Sequence, residues 1–164
     1  MPPVTQVTNY VIARIAEDKY SLSLLKLQKI LYYIQAWHLV YFDGVPMFEN
    51  DFQAWVHGPV CREVYDRFNI NHRLYDNVTL SDIGDSPDVS EVTEQDIDFI
   101  NAVLDVYAKY SGAQLEQLTH SERPWLEARG NLSPAAHCEN IISRVTMRNH
   151  YSARVSKNHD SSSI

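Results

Sequence analysis

Ser23-Leu24-Leu25-Lys26-Leu27-Gln28-Lys29-Ile30-Leu31-Tyr32-Tyr33-Ile34-Gln35-Ala36-Trp37-His38-Leu39-Val40-Tyr41 carries its apolar side chains at helical spacing. Leu24, Leu27, Leu31, Ile34, His38 and Tyr41 recur at three and four, and Leu25, Ile30, Tyr33, Trp37 and Val40 widen the stripe beyond half the circumference. A helix apolar on that much of its surface belongs near the middle of a fold. Ser21 and Ser23 are candidate N-caps, and Asp43-Gly44 is the natural stop, since glycine accepts the left-handed conformation that ends a helix. His38 sits within the stripe and reads as a hydrogen-bonded core or boundary residue. Tyr32 and Tyr33 project about 100° apart, so one of the two is expected at the surface.

Outward from this run, Val4 to Ala16 repeats the helical spacing, and Val45 to Val56 loses it. The second segment, with Pro46, Phe48, Phe52 and Trp55, reads as extended pieces or a hairpin. Gly58-Pro59 then opens a third helix carrying Val60, Val64 and Phe68. Residues 69–92 are rich in Asn, Asp, Ser and Gly, too long for a routine connection. Thr93 with Asp96 resembles a capping box ahead of Ile97, Ile100, Val103, Leu104 and Tyr107, and Ser111 with Gln114 caps a short helix. Ser121 precedes another, bearing Trp125, Leu126 and Ala128. Ser133-Pro134 starts the last, with Cys138, Ile141, Ile142 and Val145 as its stripe and Arg144 and Arg148 in its later turns. The expected fold is mainly α: one compact domain of about seven helices, residues 1–151, with a short hairpin or extended pieces near 45–57, then a flexible polar tail over 152–164.

Composition removes several classes. Of 164 residues 45% are hydrophobic, Gly is only 5 and Cys 2, and no apolar run approaches the roughly 20 residues of a membrane span. No basic-then-apolar leader precedes Tyr10, so a cytoplasmic protein is expected, with Cys61 and Cys138 as free thiols. The net charge of -7 is local: between Leu74 and Ala108 there are nine carboxylates and no Lys or Arg, and the remainder holds 12 acidic against 14 basic groups. Nucleic-acid binding, which needs clustered cations, is disfavoured, although Arg144, Arg148, Arg154 and Lys157 offer a modest basic end. Within the acidic stretch Asp82, Asp85 and Asp88 are either solvated or a docking surface for a basic partner.

Seven histidines invite catalytic or metal readings. His57 and Cys61 are interrupted by Gly58-Pro59, adjacent His137 and Cys138 diverge on any helix, and no paired closed ligand set appears, so no metal is expected. His120-Ser121-Glu122 has the residue types of a hydrolase triad, but chain neighbours rarely face one another. Phosphate-binding glycine loops, the nucleophile elbow and the zinc-protease motif are all missing from the sequence. The expectation is no catalytic residue, no cofactor and no enzyme.

Three ordered blocks carry a family likeness. Leu25 to His38, then Gln53-Ala54-Trp55-Val56-His57-Gly58-Pro59-Val60 with Glu63-Val64-Tyr65, then Leu118-Thr119-His120-Ser121-Glu122-Arg123-Pro124-Trp125-Leu126-Glu127-Ala128-Arg129, resemble the Panacea, or SocA-like, antitoxin domain. The resemblance implies a helical antitoxin of bacterial or prophage toxin–antitoxin pairs that neutralises a cognate protein toxin by binding it. In the SocA branch it implies instead an adaptor that delivers its toxin to a ClpXP-type protease. Among matched positions, Leu27, Leu31, Ala36, Trp37, Trp55 and Trp125 are read as core, and Gly58 and Pro59 as turn and helix start. Lys26, Gln28, Lys29, Tyr32, His57, His120 and Glu122, together with Asp82, Asp85 and Asp88, are the candidates for partner contact or a shared polar network. The alternative class is an enzyme acting on nucleotide or RNA. No oligomeric state is read from the sequence.

Overall fold

The computed structural model describes residues 1–162, with side chains as far as Lys157, and Ser163 and Ile164 lie outside the described residues. The elements follow the order α1 (Val4–Glu17), α2 (Leu24–Tyr41), β1 (Gln53–Trp55), β2 (Gly58–Val60), α3 (Arg62–Phe68), α4 (Glu94–Tyr107), α5 (Gly112–His120), α6 (Arg123–Arg129) and α7 (Arg144–Ser162). A single 3-10 turn, Leu80–Asp82, interrupts the acidic stretch. The fold is mainly α with one two-stranded antiparallel sheet. No described helix is long and apolar enough to cross a membrane.

α2 lies at the centre, as its wide stripe predicts, and packs against α1, α3, α4, α5, α7 and β2. Buried residues number 15 of its 18, so even its polar positions face protein. Ser23 Oγ accepts the Lys26 N–H at 3.0 Å, and the Thr93/Asp96 and Ser111/Gln114 capping boxes form as read. Past Tyr41 the chain turns through left-handed Asp43 and Gly44, whose N–H donates to Leu39 O at 2.7 Å. His38 is buried and hydrogen-bonds Val45 O through Nδ1 at 2.6 Å. Tyr32 and Tyr33 are both buried, against expectation, because α2 is enclosed on the two sides they point toward by α7 and α4.

The expected hairpin forms, and three helix boundaries are corrected. The hairpin falls at 53–60, so Gly58-Pro59-Val60 is its second strand, paired Gln53↔Val60, Ala54↔Pro59 and Trp55↔Gly58, and the third helix starts later, at Arg62. Ser121 closes α5 instead of opening α6, its Oγ donating to Leu118 O at 2.7 Å. Ser133–Ser143 is not helical, because its backbone groups find partners on other elements. Ala54 N–H donates to Asn140 O at 2.9 Å and Ile142 N–H to Phe52 O at 2.8 Å, laying this segment along the free edge of β1. The last helix therefore begins at Arg144 and is bounded by Ser162.

The long acidic segment is tied down at both ends. The N–H groups of Leu24 and Leu25, orphaned at the start of α2, donate to Asp76 O and Leu74 O, and Val78 N–H donates to Leu22 O. Further on, Gln6 of α1 holds Asp88 and Glu91 through its amide nitrogen at 3.1 Å and accepts the Glu91 N–H at 2.7 Å.

Candidate functional site

The polar residues of the first family block point inward and bond the backbone of irregular segments. Lys26 Nζ donates to Ala108 O at 2.6 Å, a cation placed on the C-terminal carbonyls of α4. Gln28 takes both backbone groups of Cys61, accepting its N–H at 2.8 Å and donating to its carbonyl at 3.2 Å. Gln35 does the same for the chain before β1, accepting from Met47 N and donating to Phe48 O. Segments without regular structure cannot pair their own peptide groups, and a buried unpaired group costs about 1–3 kcal/mol. This is why a buried helix carries Lys and Gln.

Lys29 forms the first of two internal centres. Its side chain is fully buried, Nζ donates to Pro59 O at 3.0 Å, and burial lowers its pKa to about 7 against the opposing pull of Glu116. Gly58 above it has φ +102°, and Thr119 beside it donates to Glu116 O at 2.8 Å. At the rim the exposed His57 shares its Nδ1 with Glu116 Oε1 at 2.7 Å. His120 is half-buried and stacks on Trp125 at 4.1 Å, and burial lowers its pKa. Trp125 Nε1 donates to Trp55 O at 2.8 Å, so the second and third family blocks meet here.

Glu122 forms the second centre. This carboxylate is buried at the start of α6 and accepts Tyr33 Oη at 2.6 Å, Tyr151 Oη at 2.9 Å and the guanidinium of Arg154. Tyr32 Oη lies 3.1 Å from Tyr151 Oη, and Tyr33 stacks on Tyr107 at 4.2 Å. Burial raises the pKa of all four phenols, Tyr32, Tyr33, Tyr107 and Tyr151, keeping them neutral. The centre thus clamps α2, α4, α6 and α7 together.

Of the ten candidate partner contacts, Lys26, Gln28, Lys29, Tyr32 and Glu122 lie inside the protein, bonded to their own chain. Lys26, Gln28 and Lys29 bond separate backbone groups, Tyr32 and Glu122 share the Tyr151 centre, and the five make no common surface. His57, Asp85 and Asp88 are exposed, and His120 and Asp82 half-buried. Asp82 caps the 3-10 turn and lies 3.2 Å from His72 Nε2, while Asp85 has no hydrogen bond or ion pair among the described residues. Leu27, Leu31, Ala36 and Trp125 are core, but Trp37 and Trp55 are only half-buried. The basic end is largely neutralised, with Arg144 on Asp51, Arg148 on Asp43 and Arg154 on Glu122. No group of three or more His, Cys, Asp or Glu among the described residues is placed to hold a metal.

Several residues that organise these centres carry no signal in isolation. Tyr33 and Gln35 lie in the quoted run and Arg154 in the basic end, but Glu116 and Tyr151 are identified only by their partners. Arg129 is of the same kind: buried over the Trp125 ring, it donates to Ala54 O at 2.9 Å, Ser133 O at 2.9 Å and Ala136 O at 2.6 Å. Its position as the last residue of the third block was the available hint.

Comparison with known proteins agrees with this assembly of blocks. The family described as "Antitoxin SocA-like, Panacea domain" matches residues 27–126, which span all of the internal centres except Tyr151 and Arg154. Antitoxin SocA of Caulobacter vibrioides is 34% identical over 140 residues, covering 76% of this chain and 74% of that protein. No solved structure matches.

Proposed function

The chain belongs to the SocA-like, Panacea-domain antitoxin family, and from that membership we propose that it neutralises a cognate protein toxin by binding it directly, in the cytoplasm, without catalysis. One observation carries the mechanism. The groups that acid–base or nucleophilic chemistry would use, Lys29 and Glu122 above all, are buried and committed to internal hydrogen bonds. A catalytic group must reach its substrate within hydrogen-bond distance. Here these groups act as struts, and they hold a rigid surface on which a partner can dock without paying for ordering.

Asp85 and Asp88 remain candidate contacts for a basic partner, as does His57 at the rim of the Lys29 centre. The test is co-expression with the product of the adjacent gene, reading growth rescue and co-purification. Rescue with a stable complex, retained by His57→Ala and His120→Ala singly, is the expected result. A complex that forms only with a ClpXP-type protease would replace direct neutralisation with delivery for degradation. Turnover of a nucleotide or RNA by the isolated protein, lost in His57→Ala, would make it an enzyme.

A further inference from the structure

A groove of about 330 Å³ opens between the C-terminal half of α2 and α4, lined by Trp37, Tyr41, Phe99, Ala102, Val106 and Tyr107. Tyr41 is 62% exposed and Val106 50%, so large apolar side chains face water on both walls. The floor is preformed: Trp37 Nε1 donates to Tyr107 Oη at 2.8 Å, and Tyr107 is stacked on Tyr33.

The rim is anionic. Asp98 lies four residues before Ala102 and Asp105 three after it, which places both carboxylates beside Ala102 on the solvent face of α4. Both are exposed, and among the described residues neither is in an ion pair. α4 contains no Lys or Arg, and Glu94 is exposed at its start. Asp43, beyond the end of α2, is exposed and meets Arg148 at 3.3 Å. Lys109 lies past α4 with its Nζ over the Tyr110 ring, and Arg154, which acts on the Tyr107 phenol, is paired with Glu122. The local acidity read from the sequence therefore reaches solvent, unpaired, along this helix.

Resting on the antitoxin reading above, we propose that this groove docks a cationic amphipathic helix of the partner protein. Two helices form its walls, and a third laid between them sets its apolar stripe on Trp37, Phe99 and Ala102 while its Lys and Arg meet Asp98 and Asp105. Charge argues against a second copy of this chain, because apposed α4 helices would bring like carboxylates together.

The experiment uses the full chain as wild type, as Ala102→Trp to fill the groove, and as Asp98→Lys/Asp105→Lys to reverse the rim. Each substitution is at an exposed position, and circular dichroism checks that the helical content is unchanged. A labelled 18-residue peptide of Leu and Lys with helical amphipathic spacing serves as probe in fluorescence anisotropy. Saturable binding to wild type that weakens as salt rises, and is about tenfold or more weaker for both variants, is expected. No binding to wild type, or equal binding to all three proteins, overturns the groove assignment.

Co-purification with the adjacent gene's product separates the two layers. Retention of that protein by wild type and by both variants overturns the groove and leaves the antitoxin reading standing. Failure of wild type to retain it removes the antitoxin reading, and the peptide titration still decides the groove. A concentration-dependent dimer abolished by Ala102→Trp would give the groove to a second copy and overturn the proposal.

Discussion

Lys29 occupies the space that a side chain on residue 58 would need: its Cε lies 2.6 Å from where a β-carbon there would stand. Thr119 Oγ1 is 2.9 Å from the same point, and Gly58 has φ +102°, outside the range that L side chains adopt readily. The glycine of the His57-Gly58-Pro59 block is thus required by a lysine 29 positions earlier.

Gly58→Ala is expected to destabilise the protein by about 3 kcal/mol, combining backbone strain with overpacking. Adding Lys29→Ala should recover the part of the packing cost set by Lys29 and leave the backbone strain and the Thr119 contact. Urea denaturation of the two single variants and the double variant measures this, and strict additivity would mean that the two residues do not compete for the volume.

Lys29 also sets a pH dependence. Its pKa falls from 10.5 in the unfolded chain to about 7 in the folded one, so between those values the unfolded state binds the extra proton. From this group stability rises with pH from about 7 toward 10.5, and the penalty is complete below about 7. The buried phenols act oppositely above their unfolded pKa near 10, since their raised folded values oppose ionisation. Cys61, raised by burial, opposes the rise above about 9, and Lys26, lowered by burial, adds to it at the alkaline end, so the window for Lys29 is about pH 7 to 8.5. Lys29→Met should flatten the rise in urea midpoint across it, and an identical slope in the variant would refute the assignment.

Glu122→Ala leaves Tyr33, Tyr151 and Arg154 without their shared acceptor and is expected to cost about 3–5 kcal/mol. Tyr33→Phe and Tyr151→Phe each remove one donor and should cost about 1 kcal/mol. Arg154→Ala should cost less than Glu122→Ala, because its side chain is 38% exposed and screened by water. Thermal melts followed by near-ultraviolet dichroism of the tyrosines check the order.

Gln6 anchors the acidic segment through Asp88 and Glu91. Gln6→Ala should raise amide exchange over residues 86–92 with little change in α2, at about 1–2 kcal/mol of local stability. Uniform protection in wild type and variant would show that the segment is held by other contacts.

Asp85→Asn separates solvation from docking. With no hydrogen bond or ion pair among the described residues, Asp85 should be neutral to stability within about 0.5 kcal/mol. If the loop meets a basic partner, affinity for that partner should drop, and the loss should shrink as salt rises. Unchanged affinity would assign the loop carboxylates to solvation alone.

The helices were readable where their signals were local. Ser23, Thr93 with Asp96 and Ser111 with Gln114 each act on an N–H three residues away, and such pairs form whatever surrounds them. The same rule misplaced Ser121 and Ser133-Pro134. Ser121 takes the end of one helix in preference to the start of the next, and the chain after Ser133 finds its hydrogen bonds on β1 and Arg129. The polar residues of the family blocks could be named but not oriented, since their partners lie far along the chain, 30 positions from Lys29 to Pro59 and 89 from Tyr33 to Glu122.

The amino-acid sequence by itself determined the mainly α class, the central place of the Leu24–Tyr41 helix and the concentration of negative charge before Ala108. These follow from periodicity, capping and composition, which are properties of neighbouring residues. Only the tertiary structure decided that Lys29 and Glu122 are internal struts, that residues 133–143 line β1, and that Asp98 and Asp105 border an apolar groove. Hydrogen bonding and burial depend on what long-range packing brings alongside each side chain, and no local pattern encodes that partner.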